Sequence, residues 1–241
     1  MPISKIWVIP ASVAAFPAAL AFTRLTNAPL LFPFAAALLF YPAFIRTLLR
    51  GHFGSAFRLS VLWALSGTLT VLIFTTLAPR EADASILNGR AYRVEMMEWM
   101  ETGTGRESTP SAFLPQHALH LGLFSAATVG SAGLLGLVAG AYLLNYMNVY
   151  VATYAASSGT GWIGWILAWH PWALIRVASY LALGVYLSAV FLRLTKKIDS
   201  LPPSRWLWLG MGGTVLDVLM KIILAPGWHR LLASFHGLSL P

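Results

Sequence analysis

Apolar residues in this chain come in unbroken blocks rather than at intervals. Blocks occupy 6–23, 29–45, 59–78, 118–192 and 206–224, with short polar stretches between them. A bilayer-spanning helix needs roughly 20 mostly apolar residues, and four of these blocks are of that size. The block at 118–192 is 75 residues long and carries one formal charge, Arg176. Hydrocarbon offers the backbone no hydrogen-bond partners, so such segments must close their own bonds as helices. The pattern predicts an all-α, polytopic transmembrane helix bundle. Residues 6–23 also have the look of a signal peptide, with a small-residue cleavage site at Ala19-Leu20-Ala21. A second apolar block follows at once, so 6–23 is read as the first span, kinked at Pro10 and Pro17.

The polar stretches set the topology. Loop 46–58 holds Arg46, Arg50 and Arg58 and no acid, which marks a cytoplasmic loop under the positive-inside bias. Loop 193–205 holds four basic residues and one acid and belongs on the same side. Segment 79–117 carries six acids against four arginines and is expected outside. An odd number of crossings must then join 117 to 193, and three are expected. The turns are placed near Asn145–Asn148 or the glycines before them, and at His170-Pro171-Trp172. Seven crossings result, with the N-terminus cytoplasmic. The alternative is six, with 118–192 folded as two long tilted helices split at 157–161. Residues 1–241 form one integral membrane domain.

Two surface helices complete the expectation. Within the external loop, Tyr92, Met96, Trp99 and Met100 share a helical face, and Glu95, Glu98 and Glu101 share another. This helix either lies on the membrane surface or caps the spans beneath. Past Pro226, Trp228, Leu231, Leu232 and Phe235 fall on one face, so 225–241 is expected as a separate interfacial helix.

Composition agrees with the pattern. The chain is 58% hydrophobic and 10% charged, with mean hydropathy +0.71, where soluble domains carry about 25% charge. The net charge of +8 sits in loops between apolar blocks, which argues for membrane topology and against nucleic acid as a partner. Cysteine is absent, which excludes disulfides, thiolate nucleophiles and Cys-ligated metals.

Candidate chemistry is sparse, and no catalytic residue or cofactor follows from the spacing. No nucleophile elbow or phosphate loop is present. The polar residues inside the apolar blocks are Arg176, Asp217, Lys221, Asn145, Asn148 and His170. Intramembrane charges are usually paired or line a cavity. Arg176 either snorkels to an interface or pairs with Asp217, the lone acid of the last span. Asp217 has Lys221 four residues on, so a local helical pair is its simplest partner. Asn145 and Asn148 either glue helices together or line a polar pocket. Gly136 and Gly140 form a GxxxG pair suited to close helix packing. His117 and His120 share a helix face, and with Glu98 and Glu101 they are candidate ligands for zinc, manganese or iron.

Region 116–192 is similar in layout to the stage II sporulation protein M-like membrane proteins. The counterparts are LLGLVAGAYLLNYMN, an apolar glycine-rich segment ending near an Asn, and ILAWHPWALIRVASYLALGV, a span opening on a Pro/His signature. The order here is His-Pro rather than Pro-His, and Arg176 stands where that family carries an acid. The resemblance implies a multipass protein that acts through partners, other membrane proteins or itself, and assigns no catalytic residue. The leading functional reading is a non-enzymatic subunit or scaffold of a larger membrane complex, with a filled apolar interior. The alternatives are a small-solute or ion permease component using Arg176 and Asp217, and a membrane-embedded metal enzyme. The expected location is the bacterial cytoplasmic membrane.

Overall fold

A computed structural model describes residues 5–236. Among the described residues the chain forms a bundle of ten α-helices and no strand. In chain order they are α1 Lys5–Thr26, α2 Leu31–Leu49, α3 Phe53–Leu77, α4 Pro79–Ser85, α5 Gly89–Thr102, α6 Pro110–Gly130, α7 Leu134–Ser157, α8 Trp162–Leu167, α9 Pro171–Leu194 and α10 Arg205–Phe235. Six of them, α1, α2, α3, α7, α9 and α10, are long and apolar enough to cross a membrane. The protein is a multipass membrane protein.

Hydroxyl groups within the long helices show how they tolerate a water-poor setting. Thr23, Thr47, Ser60, Thr128, Ser179, Ser188 and Thr214 each donate to the carbonyl four residues earlier, at 2.6–2.9 Å. Such back-bonding satisfies a hydroxyl without any second helix. The first core is aromatic. Trp63 on α3 stacks on Phe40 of α2 at 5.3 Å and meets Phe16 of α1 at 4.9 Å. Its indole N–H donates to the Ala36 carbonyl, the partner a buried tryptophan requires. Gly67 lets Phe16 lie against α3, because a Cβ there would stand 2.5 Å from the ring.

The helices run between a basic end and an acidic end. At the basic end the α2–α3 and α9–α10 loops meet, with Phe57 and Trp206 rings 5.0 Å apart. The α6–α7 turn lies there too, where Gly133 packs against Ser188 and Phe44. Six of the chain's eight acids lie in α4, α5 and the loop before α6, at the other end. Three long helices, α6, α7 and α9, therefore join the acidic end to the basic loop 195–204. Of these three, α7 and α9 are among the six long and apolar enough to cross a membrane, against the three crossings expected for the long apolar block. Helix α6 is not among the six apolar candidates, since Pro115, Gln116, His117 and His120 dilute its first half. At 21 residues it is nevertheless about 31 Å long.

Several boundaries differ from expectation. The first turn falls at the glycines before Asn145, one of the two places expected, with Ala132 and Gly133 at φ of 51° and 96°, while Asn145 and Asn148, the other place, lie well inside α7. The second is an excursion through 158–170 that includes both the SSGTG and the His170-Pro171 signals and encloses α8. Helix α5 forms as the spacing predicts, and its apolar face is buried inward. Met96, Trp99 and Met100 are fully buried against Tyr150, Tyr154, Trp172 and Leu232, so the helix caps the spans. The tail does not form a separate helix. Helix α10 runs unbroken through Pro226, and Leu232 is buried beneath α5 with Trp228 beside it while Leu231 stays exposed. Residues 237–241 of the expected tail lie outside the described residues.

Candidate functional site

Polar residues of five helices and one loop converge in the acidic half of the bundle. Helix α9 presents Arg176 and α10 presents Asp217 and Lys221, which fall four residues apart on one face. Helices α9 and α10 can lie close because Gly210 and Gly213 pack directly on Leu183 and Ser179. That approach sets the guanidinium against the carboxylate. Arg176 donates from Nε to Asp217 Oδ2 at 2.7 Å and from Nη2 to Oδ1 at 2.9 Å. Asp217 is completely buried. Of the alternatives for Arg176, the ion pair is the one formed, and the guanidinium does not snorkel.

Lys221 does not take Asp217 as its helical partner. Its ammonium reaches Glu107 Oε2 at 2.9 Å and lies 4.5 Å above the Phe113 ring. The reason is geometric. The two-pronged guanidinium satisfies both oxygens of Asp217 at once, which leaves Lys221 with a buried charge to neutralise. Glu107 supplies it from the loop between α5 and α6. That loop is held by Ser108, whose hydroxyl accepts from the Trp99 indole at 3.0 Å and donates to the Gly103 carbonyl at 2.6 Å. Burial pushes the Glu107 carboxyl up, but the charges of Lys221, His170 and Arg176 outweigh it and hold it at about 2.

His117 on α6 completes the cluster. Its Nδ1–H donates to the Phe113 carbonyl at 3.0 Å, so in the neutral ring Nε2 carries a lone pair. That lone pair has no hydrogen-bond partner and faces Asp217 Oδ2 at 3.7 Å. His120 lies one turn on and lines the same space. Tyr92 of α5 and Tyr146 of α7 close the side, their rings 4.6 Å apart.

These groups form one end of a cavity of about 110 Å³. Its polar end is lined by Arg176, Lys221, Glu107 and His117, and its other end by Phe44, Trp63, Leu137, Val185 and Ser188. From Arg176 to Ser188 along α9 the cavity extends about 18 Å at 1.5 Å per residue. Gly140 opens onto it, with nothing within 4 Å of a Cβ built there, whereas Gly136 packs on Thr128 of α6. The GxxxG pair thus serves packing inside the bundle and the cavity wall.

Other sequence candidates lie elsewhere. Among the described residues no three His, Cys, Asp or Glu side chains are grouped to hold a metal ion. Glu98 and Glu101 are exposed on the outer face of α5, while His117 and His120 face the cavity. His170 belongs to the cap. It stacks on Trp172 at 4.7 Å, meets Tyr150 Oη at 3.3 Å and lies edge-on to Trp99 at 5.5 Å. Burial, with Lys221 and Arg176 nearby, lowers its pKa to about 4 against the opposing pull of Glu107. Asn145 and Asn148 are buried but do not line the cavity, and both oxygens and the Asn148 amide nitrogen lack partners. Glu107, Tyr92 and Tyr146 carry no site signal in the sequence. For Glu107 the one available hint was that a buried Lys221 needs an acid.

No protein-family model, curated protein or solved structure matches the chain.

Proposed function

We infer that the protein is a non-enzymatic membrane protein that binds an acidic solute between its helices, as a permease-type component. One observation carries this. Asp217 is screened behind Arg176 and does not line the cavity, so the charged groups on the wall are Arg176 and Lys221 against Glu107 alone. The cluster is neutral overall, with Asp217 behind Arg176 and Glu107 on Lys221, but both cations face the cavity and Glu107 is the one acid that does, so an anion in the place of Glu107 would meet Lys221 and Arg176 in surroundings of low polarity. The subunit reading expects a filled apolar interior and has no use for such a cavity. In this proposal the basic end faces the cytoplasm of a bacterial cell, and the chain works beside partner membrane proteins or copies of itself, as the sporulation-protein resemblance implies.

The test is ligand-dependent stabilisation of the purified chain in nanodiscs of phosphatidylcholine. A panel of acetate, octanoate, inorganic phosphate and ethylammonium is titrated against the thermal midpoint. At least one acid should raise Tm in proportion to occupancy, and Lys221→Gln should abolish the effect. Stabilisation by none of the acids, or equally by ethylammonium, would contradict the proposal.

A further inference from the structure

The shape of the cavity says more than its charge. Its charged groups gather at one end, and the remaining length is apolar, bounded by Phe44, Trp63, Leu137 and Val185. A small hydrophilic anion would leave that arm as empty apolar volume. A neutral lipid would fill the arm without engaging Lys221 or Arg176 at its head. Gly140 borders this arm, and a Cβ there would meet open space, so only a bulky side chain at that position would fill it.

The charged end already holds an acid, Glu107, delivered from a loop rather than from a helix of the bundle. Its carboxylate sits on Lys221 at 2.9 Å, and the unpartnered Nε2 of His117 is nearby. Withdrawing Glu107 would leave an uncompensated buried ammonium, which is strongly unfavourable unless another anion replaces it. Glu107 thus occupies the place of a ligand's headgroup.

We propose, building on the acidic-solute reading, that the cavity takes a single-chain acidic amphiphile. Its carboxylate or phosphate displaces Glu107 from Lys221, and its chain lies along the Gly140 arm toward Ser188. The exchange is of one anion for another, so no bond is made or broken and the charge of the cluster is conserved. Arg176 stays with Asp217 and borders the incoming headgroup. A headgroup that carries an O–H donates a hydrogen bond to the unpartnered His117 Nε2.

The test is binding to the full chain in phosphatidylcholine nanodiscs, with acetate, inorganic phosphate, octanoate, octyl phosphate and octanol as probes. Each Kd is corrected by the same titration of Lys221→Gln, which removes partition into lipid. Octanoate or octyl phosphate should bind at least a hundredfold tighter than its chainless counterpart, since each buried methylene contributes about 0.8 kcal/mol. The tighter of the two identifies the headgroup. Glu107→Gln should tighten the amphiphile several-fold by removing the internal competitor. Gly140→Phe should weaken it at least tenfold and leave acetate or phosphate unchanged, and its own melting curve reports whether it is folded. Acetate or phosphate binding as tightly as the chained acids would overturn this inference and leave the acidic-solute reading standing. Octanol binding as tightly as octanoate, or no binding by any probe, would overturn both. An unchanged affinity in Glu107→Gln would overturn the displacement.

Discussion

Asp217 is the residue on which the buried charges depend. It is fully buried and holds both prongs of Arg176, so removing its charge strands a guanidinium among apolar groups. Asp217→Asn should therefore lose about 3–5 kcal/mol of stability, while replacing both partners, Arg176→Met with Asp217→Leu, should recover most of it. Unfolding in mixed detergent micelles measures this, and a double variant as unstable as the single one would refute it. His170 gives a pH signature. Its pKa falls from 6.5 to about 4 on folding, so between those values the unfolded chain binds more protons. Stability then rises with pH across the window and is lost as pH falls through it. Glu107 behaves alike at lower pH, its contribution present above 4.5 and lost toward about 2. A melting series from pH 7 to pH 4 should show a drop of about 2–3 kcal/mol that His170→Gln removes. At this scale the Arg176–Asp217 pair was legible because the last span offers Arg176 a single acid. The Lys221–Glu107 pair was not, because it spans 114 positions and no periodicity links a loop to a helix.

Helix α5 shows what an amphipathic pattern can and cannot tell. The spacing of Tyr92, Met96, Trp99 and Met100 places the helix and its buried face, but an apolar face looks the same whether it meets lipid or protein. Tyr150, Tyr154, Trp172 and Leu232 decide for protein. Gly103 ends the helix with φ of 68°, and a Cβ there would stand 2.6 Å from the His229 ring. Gly103→Ala should thus unseat the loop that carries Glu107, and proteolysis between 103 and 109 should speed up at least several-fold. Protection equal to the unaltered chain would speak against the cap. Helix α10 is the opposite lesson. Pro226 reads as a terminator, since it removes a backbone donor and crowds the preceding turn. The helix continues because Ala225, Leu232 and Ala233 are buried on both sides of it, and packed helices tolerate the missing bond.

The molecule as a whole is organised by its two ends. Basic loops 46–58 and 193–205 meet at one end although nearly 150 positions separate them, as the charge bias alone predicts. The passes between them are less legible. Helix α6 is diluted by Gln116, His117 and His120, which line the cavity, so its composition is the least span-like of the long helices. Reporter fusions at 52 and 199 should give the same, cytoplasmic signal, and a fusion at 105 the opposite one. Unlike signals at 52 and 199 would exclude the three-pass arrangement of α6, α7 and α9. The central claim, an acidic solute drawn between the helices to Arg176 and Lys221, has a direct test because the chain has no cysteine. Gly140→Cys places one thiol on the cavity wall, to be labelled with anionic and cationic methanethiosulfonates of equal size. The account predicts faster modification by the anionic reagent, with the preference lost when Lys221→Gln is added. A thiol that reacts with neither reagent, or faster with the cationic one, would contradict it.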